Sequence, residues 1–271
     1  YLFDCLMRVI TWNVRRAKAD DVAWEMLLDM EPDIALLQEV SIFPPTITSS
    51  FDVKFESAVG KTGKPQKFGT AVLVRGKIID DLQLSSAYDW VNSELNFFAG
   101  NLVGCTILTE DGSPKNVISV HSPAWPVNKD RLANVDVSDV KLKYHTDVWC
   151  TEILWAALKH TMADSSQQWI VGGDFNCSET FDWKDGPSRG NGEILGRMNA
   201  LGLTECLREY HGQLTPTFKN SRGGKVVHQL DHMFVSGNLK QLLKQCILGD
   251  ASKVFGDSIS DHLPVIGDFH S

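Results

Sequence analysis

Short runs of Val, Ile and Leu, bounded by Gly, Pro, Asn or Asp, recur along the whole of this 271-residue chain. They read as strands over 8–14, 33–40, 70–79, 97–108, 117–121, 168–172, 229–236 and 265–269. Between 70 and 121 several follow one another with only turns between them. A parallel barrel needs a crossover helix after every strand, so this rhythm predicts mixed sheets instead. Helical spacing occurs in three stretches. Over 20–30, Trp24, Leu27 and Leu28 form an i, i+3, i+4 stripe, Asp20 or Asp21 can cap the start, and Pro32 lies just beyond. Over 145–162 the stripe is Trp149, Cys150, Ile153, Leu154, Ala157 and Leu158. Over 193–201 it is Ile194, Leu195, Met198 and Leu201. Such stripes must be buried, and a sheet face is the available partner. The expected architecture is an α/β sandwich with helices outside. No internal repeat or Pro/Gly/Ser linker divides it, which predicts a single domain over 7–271. Met7 opens a strand pattern, so residues 1–6 read as an N-terminal extension.

Apolar residues make up 43% and charged residues 22%, an ordinary globular balance that excludes a disordered or fibrous chain. Uninterrupted aliphatic stretches such as 34–37 and 71–74 fall far short of the roughly 20 residues of a membrane helix, so no membrane span is expected. The first residues carry no basic lead, and no signal peptide is read there. Cys5, Cys105, Cys150, Cys177, Cys206 and Cys246 contain no C-x-x-C pair, which argues against a paired-cysteine zinc site. Free thiols in a reducing compartment are expected, with the protein cytoplasmic and monomeric. The net charge of −8 argues against a role that coats nucleic acid, because such affinity comes from cations displacing counterions. It leaves open a hydrolytic role in which carboxylates hold a divalent metal.

Chemistry is carried by the polar residues at strand ends. Thr11-Trp12-Asn13-Val14, Leu36-Leu37-Gln38-Glu39, Gly173-Asp174-Phe175-Asn176 and Ser260-Asp261-His262-Leu263-Pro264 each set Asn or an acid beside an apolar run. Asp231 stands inside the apolar pattern 229–236, where an unpaired carboxylate would be costly and a partner is required. Hard oxygen donors with Asn and His nearby suit a Mg²⁺-type site. Singly, each feature also has a structural explanation: Asn13 as a turn cap, Asp174 with Asn176 as an Asx-turn, Glu39 as a solvated charge.

In this order and spacing, these residues resemble the endonuclease/exonuclease/phosphatase superfamily, over about 7–269. The resemblance implies a four-layer fold, two mixed β-sheets packed face to face with helices outside. It implies Glu39, Asn13 and Asp261 at a Mg²⁺ site that could also take Mn²⁺. Asp174 would orient and deprotonate the attacking water, and Asn176 would help hold the phosphate. His262 would hydrogen-bond a phosphoryl oxygen, with Asp231 fixing its tautomer. Ile118-Ser119-Val120-His121-Ser122-Pro123 is similar to the deoxyribonuclease I-like branch, whereas exonuclease III-like members carry Tyr where His121 stands. His121 would be a phosphate ligand or leaving-group acid, and Arg15 a phosphate contact. The chain departs from that branch at Phe68, which occupies the place of the acid expected to pair with the histidine.

Three loops are candidates for selecting substrate. One carries Lys61, Lys64 and Lys67; its Gly-Lys-Thr is no P-loop, because Phe55 replaces the first Gly. Another carries Lys219, Arg222 and Lys225 around Gly223-Gly224. The third, 181–191, holds Trp183, Lys184 and Arg189, and basic residues with an aromatic suit a phosphate backbone bearing a stacked base. The expected function is a metal-dependent phosphodiester hydrolase, a DNA endonuclease with Trp183, Arg189 and Arg15 on the substrate. The alternatives are a phosphatase or phosphodiesterase for small-molecule or lipid phosphoesters, and a degenerate binding module, against which the intact polar set argues.

Overall fold

Two facing sheets account for the succession of short apolar runs. The computed structural model describes residues 6–109, 112–185, 189–220 and 224–270; Cys5, Arg222, Gly223 and the Lys184 side chain lie outside this description. The strands are β1 (Leu6–Ala17), β2 (Ile34–Val40), β3 (Asp52–Val59), β4 (Pro65–Val74), β5 (Lys77–Asp81), β6 (Leu102–Leu108), β7 (Pro114–His121) and β8 (Gln168–Asp174). They continue with β9 (Leu203–Glu205), a hairpin of β10 (Phe218–Lys219) and β11 (Val226–His228), then β12 (Asp231–Ser236), β13 (Leu243–Leu248) and β14 (Val265–His270). One six-stranded sheet has the order β13-β14-β1-β2-β4-β3 and the other β5-β6-β7-β8-β12-β9. Each carries one parallel pair amid antiparallel neighbours, β1/β2 in the first and β7/β8 in the second. The paired part of β1 starts at Leu6, opposite His270.

Parallel pairs require crossovers. Helix α1 (Ala23–Asp29) supplies the first. The remaining helices used below are α2 (Pro45–Ser50), α3 (Asp89–Phe97), α4 (Cys150–Thr161), α5 (Glu179–Asp185) and α6 (Asn191–Ala200), with α4 completing the crossover from β7 to β8. Period-2 alternation sorts the strands' side chains into three apolar layers. Val9, Leu36, Val72, Val117, Ile170 and Met233 meet between the sheets. Trp12, Leu37 and Leu73 face outward against Trp24 and Leu27 of α1 and Ile47 of α2. Ile118, Val120, Val171 and Phe234 face α3, α4 and α6. The molecule is thus the expected four-layer α/β sandwich. Among the described residues no helix is long and apolar enough to cross a membrane.

The structure divides two of the expected strands. The run 70–79 is two strands, β4 in one sheet and β5 in the other, because the chain changes sheets at Gly76, where a Cβ would overlap the Leu108 carbonyl oxygen. The run 97–108 starts as the end of α3, and its strand begins only at Leu102. Phe98 is fully buried against this helical layer, so its apolarity serves helix packing.

Gly172 marks a close approach of the sheets. A Cβ there would lie 3.0 Å from Leu36 Cδ1 and 3.4 Å from Thr11 Cβ. Gly172→Leu is expected to destabilise the protein by about 1–3 kcal/mol through overpacking. Gly196, exposed on α6 with nothing near its missing Cβ, is the control. Gly196→Ala should be neutral or stabilising by about 0.5–1 kcal/mol. Urea unfolding of the two variants checks the contrast.

Candidate active site

Strand alternation carries the site. Along β1, Val9 packs between the sheets, so Thr11 and Asn13 face the same way. The same rule aligns Leu36 with Gln38 on β2, Val117 with Ser119 and His121 on β7, Ile170 with Gly172 and Asp174 on β8, and Met233 with Asp231 on β12. Toward one rim the sandwich interior therefore turns polar. Gln38 Nε2 crosses between the sheets, donating to Ser119 Oγ at 3.0 Å and Thr11 Oγ1 at 3.3 Å. Beyond this belt, Cα register sets His121, Asp174 and Asp231 in one row across three adjacent strands.

Glu39 reaches the same rim by a different device. Pairing of β2 is interrupted on both sides there, between Asn13 and Ala17 of β1 and between Leu37 and Val40 of β2 itself. Glu39 takes φ 55°, which releases its carboxylate from the strand alternation. Arg15 (φ 51°), Arg16 (φ 61°) and Asn176 (φ 49°) share this left-handed conformation, so backbone strain concentrates at the rim.

Asp174 is the hub. Its Oδ2 accepts from Asn13 Nδ2 at 3.1 Å and its Oδ1 from the Asn176 amide at 2.9 Å. Asn176 Nδ2 donates to the Ser122 carbonyl oxygen at 2.7 Å. His262 Nε2 lies 3.8 Å from Asp174 Oδ2, and His262 Nδ1 is bound to Asp231 Oδ2 at 2.8 Å. Asp231 also accepts from Thr217 Oγ1 at 2.6 Å. Ser260 Oγ donates to the Asn13 carbonyl oxygen at 2.7 Å, and Trp12 Nε1 donates to that of His262 at 2.9 Å, fastening the 260–264 loop to β1.

Electrostatics follow from this burial. Desolvation opposes protonation of His262, but Asp231 and Asp174 outweigh it and push its pKa up to about 10. Desolvation likewise drives Asp174 upward, against the pull of the His262 imidazolium. His121 is pushed down to about 4, first by burial and then by repulsion from His262. Among the described residues its Nδ1 has no hydrogen-bond partner, and its ring packs on Phe68 at a centroid distance of 5.8 Å.

Ligand atoms of Asp174, Asp231 and His262 all lie within 4.8 Å of one another, a spacing a metal could use. The set is already tied internally, with His262 Nδ1 committed to Asp231 and the imidazole's proton affinity raised by the two carboxylates, so a cation there would have to displace that proton. Glu39 and Asp261 fit a hard cation better. Both are partly exposed carboxylates, compatible with an ion that keeps several waters. Asn13 presents its amide nitrogen to Glu39 at 3.5 Å, while its oxygen accepts from the Arg15 amide at 3.0 Å.

The structure thus joins Asn13, Glu39, His121, Asp174, Asn176, Asp231 and His262, with most of them lining an open cleft of about 450 Å³. Arg15 and Asp261 pair loosely on the rim, 4.0 Å apart. Trp183 is 72% exposed on α5, and Arg189 lines a neighbouring pocket together with Asn176. Four participants were not read from the sequence. Ser260 lay within a quoted motif. Thr217 and Phe218, whose ring centroid is 4.8 Å from that of His262, carry no local signal. Arg16, which sequence reading passed over for Arg15, sits with Nε 3.4 Å from Glu39 Oε2 and its guanidinium over Phe68.

Comparison with known proteins agrees with this geometry. The model of the Endonuclease/Exonuclease/phosphatase family matches residues 10–262. An AP endonuclease from Archaeoglobus fulgidus shares the fold at a TM-score of 0.67 and 18% identity, covering 98% of this chain and 100% of that one. The 3′ phosphatase NExo from Neisseria, solved with a product DNA hairpin, gives 0.65 and 20% over 97% and 99%. An AP endonuclease from Leishmania major gives 0.66 and 15% over 98% and 88%. At such identities the likeness shows the fold. No curated protein matches the chain.

Asp231 controls the proton on His262. The stabilisation that this proton carries is complete below about pH 6.5, the ordinary histidine pKa, and is lost as pH rises through about 10. Asp231→Asn should bring the titration of His262 down toward neutrality. Imidazole chemical shifts followed from pH 5 to 10 check this; an unmoved midpoint would show that another charge holds the proton.

Proposed function

Since the chain belongs to the Endonuclease/Exonuclease/phosphatase family, whose members hydrolyse phosphoester bonds, we propose that it is a divalent-metal-dependent phosphodiester hydrolase that cuts DNA internally. The observation that carries this reading is the 3.8 Å gap between a buried carboxylate, Asp174, and a protonated His262 held from behind by Asp231. A phosphate at the mouth of that gap meets a base on one side and a donor on the other. Asp174 accepts the proton of the attacking water, oriented through its bonds to Asn13 and Asn176. Its upward-shifted pKa suits it to taking that proton. His262 Nε2–H donates to a phosphoryl oxygen as negative charge grows there. Asp231 fixes the tautomer and stabilises the imidazolium.

Phe68 stands where an acid would pair with His121, and although Glu39 Oε1 lies 3.8 Å from His121 Nε2, burial and repulsion from His262 hold the imidazole's pKa down. Its role in this reading is that of a neutral hydrogen-bond donor to phosphate. Glu39 and Asp261 would hold the Mg²⁺, with Asn13 orienting Glu39, and the bound ion would neutralise charge on the phosphate and the leaving oxygen. Arg15 and Arg16 on the rim supply cations for the flanking backbone. DNA as substrate is supported by the solved relatives, one of which holds a DNA hairpin. The five described cysteines are free and buried, which supports work in a reducing compartment. The acidic net charge of −8 favours the second reading, a small or lipid phosphoester on the same scaffold.

Nicking of supercoiled plasmid with Mg²⁺ tests the proposal. EDTA should abolish it. His262→Ala and Asp174→Asn should each lower the rate by about a hundredfold or more. Asp174→Asn should melt no lower than the parent, since it removes a carboxylate that burial penalises. Release of inorganic phosphate or a headgroup by folded, Mg²⁺-loaded protein that never nicks DNA would transfer the assignment to the second reading.

A further inference from the structure

Behind Asn176 lies a second pocket of about 210 Å³. It shares Asn176 and Ala124 with the catalytic cleft, so a ligand filling it stays joined to a phosphate held there. The rings of Trp149, Phe175 and Phe181 form its walls. Two of the polar side chains between them are already engaged by the protein. Glu152 Oε1 accepts from the Leu142 amide and Oε2 from the Trp149 amide, both at 2.8 Å. Asn191 Oδ1 accepts from the Ser178 amide at 3.0 Å, and its Nδ2 donates to Asp182 Oδ1 at 3.0 Å. The rest of the lining is mainly aromatic and aliphatic, with His145, Thr151 and Arg189 among it.

This chemistry separates the possible phosphoesters. A polyhydroxyl ring would lose its water hydrogen bonds and find few replacements. Lipid chains need more room than a volume below the ~300 Å³ of ordinary small-molecule pockets. A flat, weakly polar ring attached to a phosphate fits both the walls and the size. We infer that the pocket receives the base of an unpaired nucleotide adjoining the phosphate at Asn176, and that the preferred substrate is DNA that is single-stranded or locally unpaired. The inference rests on the nuclease reading above. A base inside a duplex reaches such a pocket only after unstacking, which costs least where the base is already unpaired. Trp183, exposed on α5 in the same segment, offers a further stacking surface outside.

Three DNA oligonucleotides that differ at one position test this: an unpaired thymidine, a base-free tetrahydrofuran, and a fully paired thymidine. The protein should cut beside the unpaired thymidine about tenfold more efficiently than at the other two, with the difference in KM. Phe181→Ala should lose about tenfold in kcat/KM on the unpaired thymidine and clearly less on the base-free site. Phe181→Leu keeps an apolar wall without the ring and gives the same comparison should the alanine variant melt early. Equal cutting of the three substrates, or an equal loss on the thymidine and base-free sites, overturns the pocket assignment while the nuclease reading stands. No cutting of any of them by Mg²⁺-loaded protein overturns both.

Discussion

The site depends on one unfavourable act, the burial of Asp174 between two sheets. A carboxylate there costs free energy unless positive charge and donors surround it. Asn13 comes from the first strand, Asn176 from the loop after β8, and His262 from the loop before the last strand. Nothing but the closed sandwich brings these segments together. His262 in turn keeps its proton because Asp231, one strand over in the same register row, faces it. Folding and the assembly of this site are therefore linked, since loss of His262, Asn13 or Asn176 would remove a group that favours the charged Asp174.

The arrangement also explains why the site lies at this rim. Both parallel pairs point their C-terminal ends toward it, and the crossovers that parallel pairing demands leave from it. Loops there are free to be shaped by chemistry, since the ladder ends. The polar belt of Gln38, Thr11 and Ser119 separates this end from the apolar interior. It satisfies the Gln38 donor between the sheets, while Gln38 Oε1 is buried without a hydrogen-bond partner among the described residues.

Much of this was legible in the sequence because alternation is local. A strand that reads Val9, Thr11, Asn13 announces a face that turns polar at its end, and Asp174 and His121 obey the same rule. The assignment of strands to sheets was not local. Nothing in 70–79 says that the two halves belong to different sheets, since both are apolar and a single glycine makes the switch. Edge strands β3 and β13 escaped for the opposite reason, because each is covered on little of its surface and tolerates polar residues. Thr217 and Phe218 were invisible because a hairpin, not sequence proximity, delivers them to Asp231 and His262.

Phe68 changes how the rim works. An acid in place of Phe68 would raise the histidine's proton affinity, whereas the ring adds to the burial that, with repulsion from His262, pushes it down. The same ring carries the Arg16 guanidinium at 4.9 Å, and that guanidinium reaches Glu39. One side chain thus helps bury His121 and carries a cation that reaches Glu39. A divalent ion taking its place on Glu39 must share that carboxylate with Arg16 or displace it toward the substrate phosphate. If Glu39 holds the ion, the pairing with Arg16 would weaken it as a ligand and would leave a guanidinium beside the proposed phosphate.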